Sequence, residues 1–122
     1  GQATLLHSNQ QKYFWEDDAV AAGQSSIAFQ LERISHSAYP WGFSVEVVFD
    51  GDPGTFEVDI MGANDDKLAN YQKLGSISAV TSLLTGNFVG RYDMASNLWP
   101  KFIILNMKPL TNPVNTTAQG TR

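Results

Sequence analysis

Few residues in this sequence are placed for reaction chemistry. Three carboxylates, Glu46, Glu57 and Asp59, lie on two stretches where apolar and polar residues alternate. Two carboxyl groups at the right separation could hydrolyse a glycosidic bond, one as acid and one as base or nucleophile. The same acids on a solvated strand face only discourage edge-to-edge association, and the alternation favours that plainer reading. Asp50 and Asp52, or Asn64, Asp65 and Asp66, offer the oxygen ligands that Ca²⁺ prefers. Their spacing does not continue as a calcium-binding loop, and turn aspartates commonly bond the local backbone instead. His7 and His36 are far apart and lie in predicted loops, with no partner converging on either for acid–base or metal work. There is no cysteine, which removes disulfides and thiolate metal sites. No serine sits in a Gly-x-Ser-x-Gly turn, and no glycine-rich loop has the spacing that cradles phosphate. Asn115-Thr116-Thr117 fits the N-glycosylation pattern, which is short enough to arise by chance. The residues therefore imply no cofactor, no metal and no catalytic constellation.

The aromatic side chains are the better candidates for a binding role. Tyr13, Phe14 and Trp15 are consecutive, just before the acidic Glu16, Asp17 and Asp18. Three adjacent side chains cannot all point to one face of a strand, so at least one meets solvent or a neighbour. Tyr39, Trp41, Trp15 and Trp99 lie near predicted loop edges. Such rings can stack on sugars, anchor a protein interface, or simply pack at the rim of a core.

The elements that must position these residues are strands. In Trp41–Gly62, Phe43, Val45, Val47 and Phe49 alternate with Ser44, Glu46, Val48 and Asp50. After the turn formers Asp50-Gly51-Asp52-Pro53-Gly54, Phe56, Val58 and Ile60 alternate with Thr55, Glu57, Asp59 and Met61. A period of two places alternate side chains on one face, so each run has an apolar side and a mostly polar side. Joined by a Gly/Pro/Asp turn, the two runs predict a β-hairpin. Residues 26–34 alternate in the same way. Leu5 and Leu6 could seed a short strand, and 71–77 forms another, in which Gly75 implies a bulge or a close backbone approach. Residues 63–70 predict a loop with one helical turn, and 78–84 fits either strand or turn. Residues 88–93 predict a strand. The apolar run Phe102-Ile103-Ile104-Leu105 within 99–107 implies a strand buried on both faces. Residues 114–121 fit either a last edge strand or a disordered tail. Seven or eight short strands with turn signals between them, and no amphipathic helix, predict an all-β antiparallel sandwich or barrel.

At 122 residues the chain predicts one folded domain, residues 25–122, with an N-terminal arm over 1–24 and a C-terminal tail from about 110. The arm could cap its own sandwich or reach another subunit. The net charge is −4, and the eight Lys and Arg are scattered, which argues against nucleic acid as partner. No apolar stretch approaches the roughly 18–20 residues of a membrane helix, so no membrane partner is expected. Residues 1–10 lack the basic region and apolar segment of a signal peptide.

FQLERISHSAYPWGFSVEVVFDGDPGTFEVDIMGANDD, NFVGRYDMASNLWPKFIILNMKPL and TNPVNTTAQGTR together resemble small structural proteins of tailed-bacteriophage virions. The nearest type is the jelly-roll cement, or decoration, protein that coats the capsids of short-tailed phages. The resemblance runs from about Ser26 to Arg122. It rests on the order of Tyr-Pro-Trp-Gly, PGxFExDI, VGRxDM, Trp-Pro-Lys-Phe and a Thr/Asn-rich close, none of which carries a mechanism of its own.

The resemblance implies a jelly-roll sandwich and a non-enzymatic role in the virion. The implied partner is the major capsid protein, with a homo-oligomer expected. Tyr13, Phe14, Trp15, Tyr39, Trp41 and Leu110 become the candidate interface residues, and the arm through Asp18 and the tail from Leu110 are expected to make the contacts between subunits. On that expectation, removing residues 1–18 weakens attachment without unfolding the domain. The alternatives are a carbohydrate-binding β-sandwich module and a tail or adaptor component of the virion.

Overall fold

The strand periodicity read from the sequence becomes a two-layer core. The fold is given by a computed structural model that describes residues 3–7, 10–31, 42–94 and 100–122. Among the described residues there are ten strands: β1 (Thr4–Leu6), β2 (Gln11–Asp18), β3 (Phe29–Leu31), β4 (Phe43–Phe49), β5 (Phe56–Ala63), β6 (Gln72–Ile77), β7 (Thr81–Ser82), β8 (Phe88–Met94), β9 (Phe102–Leu110) and β10 (Thr116–Thr121). The helical turn expected in 63–70 is a single 3-10 turn, Leu68–Asn70.

The strands form two five-stranded sheets. Sheet A has the order β1-β3-β9-β5-β6, and sheet B the order β2-β10-β4-β8-β7. The pairs β5·β6, β4·β8, β3·β9 and β2·β10 are nested about the β5–β6 connection, as in one long ribbon folded back on itself. Wrapping that ribbon brings β10 beside β4 and β9 beside β5, which closes the two layers. This is jelly-roll topology. The short β1 and β7 extend one edge of each sheet, and β1·β3 is parallel while the other pairs are antiparallel.

The alternating residues of β4 and β5 point inward as their spacing requires. Phe43, Val45, Val47, Phe49, Phe56, Val58 and Ile60 are all buried in one core between the sheets. The expected hairpin between β4 and β5 does not form. The two strands lie in different sheets, and residues 50–55 arch between layers. Across that arch Phe49 meets Phe56 edge to face, ring centroids 4.8 Å apart. Residues 50–55 do turn the chain as their types predict, but a connection of this length serves an inter-sheet arch as well as a hairpin. In the arch, Asp52 Oδ1 accepts the Gly54 backbone N–H at 2.8 Å, and Gly54 takes a positive φ.

β9 is buried on both faces. Ile103, Leu105 and Met107 face the main core, while Ile104 joins Ala63 and Tyr71 in a smaller cluster on the outer side of sheet A.

The N-terminal segment is built into both sheets. β1 extends sheet A, and β2 pairs along β10. β2 carries two register shifts against β10 and a positive φ at Asp17. An extra residue in a strand turns two successive side chains toward one side. Phe14 and Trp15 consequently both enter the core, each 3% exposed, while Tyr13 stays 43% exposed. The C-terminal segment is likewise no tail, since β10 is an interior strand between β2 and β4. An arm and a tail free to lie across neighbours are therefore replaced by strands that the sandwich needs.

Candidate functional site

A bulge between β5 and β6 assembles the main polar cluster. Ile60 pairs with Gly75, but Met61 pairs with Lys73, so Leu74 is an extra residue in β6. Without it, the period of two would turn Lys73 away from the face that Ser76 shares with Asp59. With it, Lys73 Nζ reaches Glu57 Oε2 at 3.1 Å and Asp59 Oδ1 at 3.5 Å. Gly75 is needed on the inner side of the same bulge. A Cβ there would lie within 2.6 Å of Tyr92 Cζ and 2.7 Å of Tyr92 Oη from sheet B. Both readings of Gly75, bulge and close approach, are thus realised at one position.

Asp59 lies under this cluster. Its side chain is only 3% exposed, and Oδ1 has no hydrogen bond beyond the ion pair with Lys73. Burial first, and the Glu57 carboxylate second, hold Asp59 above the ordinary carboxylate range. Glu57 is pushed the opposite way, by its hydrogen bond with Asp59 and then by Lys73. Lys73 is raised, chiefly by its hydrogen bond to Glu57. The next register position on β9 is Asn106, whose Nδ2 donates to Ser25 Oγ at 2.8 Å and to the Gly23 carbonyl at 3.3 Å. The arrangement pairs charge between β5 and β6, and through Asn106 of β9 it ties the 23–25 segment to the sheet.

Glu46 does not join the pair. It belongs to β4 in sheet B, opposite Arg91 and Gln119, whereas Glu57 and Asp59 belong to sheet A. The outer face of sheet B is polar. Arg91 Nε donates to Asp93 at 3.0 Å, and Gln119 Nε2 donates to Gln11 at 2.9 Å.

The other acids serve local structure. Asp65 accepts both of its bonds from Asn70 Nδ2, at 2.9 and 3.0 Å. Asp66 accepts from the Tyr71 hydroxyl at 2.7 Å. Among the described residues, no three His, Cys, Asp or Glu side chains come together to hold a metal ion. No helix is long and apolar enough to cross a membrane among those residues. His7 is exposed, and His36 lies outside the described residues. In the glycosylation pattern, Thr116 is buried and its hydroxyl donates to the Val114 carbonyl at 3.2 Å.

Of the six candidate interface residues, Tyr13 is on the surface, on the outer side of sheet B. Phe14 packs edge to face on Phe29 at 4.9 Å and near Phe43 at 6.3 Å, which fixes it between the sheets. Trp15 is buried and its Nε1 has no partner among the described residues, so it is closed to a sugar or a subunit. Leu110 is half-buried against the core. Tyr39 and Trp41 lie outside the described residues, as does Trp99.

Sequence reasoning missed the aliphatic side chains left in water: Ile27, Leu68, Leu74, Leu83 and Leu84. Leu83 and Leu84 sit at the turn between β7 and β8, and Leu84 is fully exposed. The signal was present as Leu-Leu-Thr-Gly-Asn, an apolar pair inside a turn sequence. Comparison with protein-family models, with curated proteins and with solved structures found no match.

Proposed function

We propose that this chain is a non-enzymatic virion structural protein, a cement or decoration protein that binds and stabilises an assembled capsid shell. One observation carries the reading. A stiff jelly-roll body leaves apolar side chains in water, while its reactive groups neutralise one another within the sheets. The residue resemblance to decoration proteins of short-tailed phages supports the same reading. Tyr13 and the exposed leucines are the anchors, because Phe14 and Trp15 are spent on the core.

A protein that binds the shell but not free subunits stabilises the shell by mass action. At a hundredfold excess over Kd the gain is about 2.7 kcal/mol per site. Many copies on a symmetric lattice add avidity. The test is co-sedimentation of the full chain with undecorated capsids of a short-tailed phage, followed by thermal disruption of the shells. Saturable binding with later disruption supports the proposal. Absence of binding, together with capture on a glycan array, replaces it with the carbohydrate-binding reading.

A further inference from the structure

The arch between the sheets carries a dipeptide with chemistry of its own. Of the ten glycines in the chain, Gly51 is the one that follows an Asp or Asn. The fold requires glycine there. Its φ is 129°, in the region that side chains avoid, and a Cβ would lie 3.3 Å from Val114 Cγ1. The same lack of a side chain leaves the Gly51 backbone nitrogen unshielded beside the Asp50 carboxyl group.

Both of these groups are unoccupied. Asp50 is exposed and its carboxylate accepts no hydrogen bond among the described residues, and the Gly51 N–H donates none. The Asp50 N–H donates to the Asn115 carbonyl at 2.9 Å, one residue past the Phe49–Thr116 pair of β4 and β10. The residue is therefore anchored on its N-terminal side and unrestrained toward Gly51. Asp52 is the contrast. Its Oδ1 accepts the Gly54 N–H at 2.8 Å, and Pro53 after it has no N–H. Asp59 and Asp93 are followed by Ile60 and Met94, strand residues with side chains of their own.

We infer that Asp50-Gly51 is a site of spontaneous backbone isomerisation, a modification whose only co-reactant is water. The Gly51 nitrogen attacks Cγ of the protonated Asp50 carboxyl group. The N–Cγ bond forms, and the carboxyl OH leaves with the amide proton as water, giving a cyclic imide. Water then opens the ring. Breaking the N–Cγ bond regenerates aspartate, whereas breaking the bond between that nitrogen and the Asp50 backbone carbonyl carbon leaves isoaspartate. The main chain then runs through Cβ and Cγ, so it is one methylene longer at unchanged mass. That methylene enters the connection that carries the chain from sheet B to sheet A, across which Phe49 meets Phe56. The inference does not rest on the shell reading, and a failure to bind capsids would leave it standing.

The test incubates the full folded chain for weeks at neutral pH and physiological temperature, beside the same chain unfolded in urea. Labelling by an isoaspartyl methyltransferase counts the product, and peptide mapping by mass spectrometry locates it. Isoaspartate should accumulate at Asp50 ahead of every other Asp and Asn. Local opening of an exposed connection costs little, so the folded rate should lie within about tenfold of the rate in urea. Asp50→Glu, whose longer side chain disfavours the ring, should abolish the signal. Asp50→Asn should convert faster, losing ammonia in place of water. Isoaspartate forming first at another residue would overturn the inference. So would a folded chain in which neither wild type nor Asp50→Asn converts while both convert in urea, because the fold would then guard the site.

Discussion

Deleting residues 1–18 should unfold this protein rather than release a tether. The deletion removes β1 and β2, and with them the buried Leu6, Phe14 and Trp15. Phe14 spans the layers, since it packs on Phe29 of sheet A and on Phe43 of sheet B. Truncating a buried Phe or Trp costs about 3–5 kcal/mol each. Two such losses reach roughly 6–10 kcal/mol, comparable with the whole stability of a small domain at about 5–15 kcal/mol. The deletion also strips β10 of one neighbour along its length. Point variants separate the roles within the three aromatics. Phe14→Ala should lower stability by about 3–5 kcal/mol. Tyr13→Ala, on the outer face, should stay within about 0.5 kcal/mol. Urea unfolding followed by tryptophan fluorescence measures both. Tyr13→Ala should then be compared with wild type in capsid co-sedimentation, where a folded variant with weaker attachment is expected. A chain lacking residues 1–18 that still unfolds cooperatively at the wild-type midpoint would refute the reasoning, and would restore the arm to a purely external role.

Gly75→Ala should cost about 1–3 kcal/mol, because its Cβ would press on the Tyr92 ring across the sheets. Combining it with Tyr92→Ala should recover part of that loss, and additive urea midpoints would contradict the contact. Asp59→Asn should change the pH dependence of stability. The folded state holds Asp59 above its ordinary value of 3.8, so its contribution is fully present in acid and is lost as pH rises through the shifted value. The variant should therefore gain on wild type as pH rises from about 3 to about 8. Glu57, lowered from 4.5, acts in the opposite sense and loses its contribution as pH falls. A constant difference between Asp59→Asn and wild type across that range would count against the assignment. The Tyr71 phenol is raised above 10.0 by burial first and by its bond to Asp66 second. Stability should then fall as pH rises past the ordinary tyrosine value, and Tyr71→Phe should lack that alkaline decline. The same variant should lose about 1–3 kcal/mol near neutrality, read from urea unfolding, because the hydroxyl bond to Asp66 is gone.

What could be read from the sequence was whatever depends on neighbours along the chain. The alternation in Trp41–Gly62 places Phe43, Val45, Val47, Phe49, Phe56, Val58 and Ile60 inside, as found. Gly75 announced its bulge, and Phe102–Leu105 announced a strand buried on both faces. Period two says which face a residue takes, but not which strand lies beside it. The hairpin expected between β4 and β5 is therefore an arch between the sheets, and β10, expected as an edge strand or a disordered tail, is an interior strand. The nested pairing of the ribbon decides both.

The candidate site failed to be legible for a related reason: its members are brought together by irregularities. Lys73 joins Glu57 and Asp59 only because Leu74 is extra in β6, and Trp15 follows Phe14 inward only because β2 shifts register against β10. A bulge of one residue reverses every side chain beyond it, so a strict alternating reading assigns the wrong face just where these residues come together. Aromatics drew the sequence argument toward an interface because large rings dominate known interfaces. In this chain most of the described rings went to closing the sandwich, and the tip of the β7–β8 hairpin kept two leucines in water. On the proposed reading, in which the chain holds surfaces together, the informative residues are those that the core could have taken and did not. Leu83 and Leu84 meet that criterion, while Phe14 and Trp15 do not.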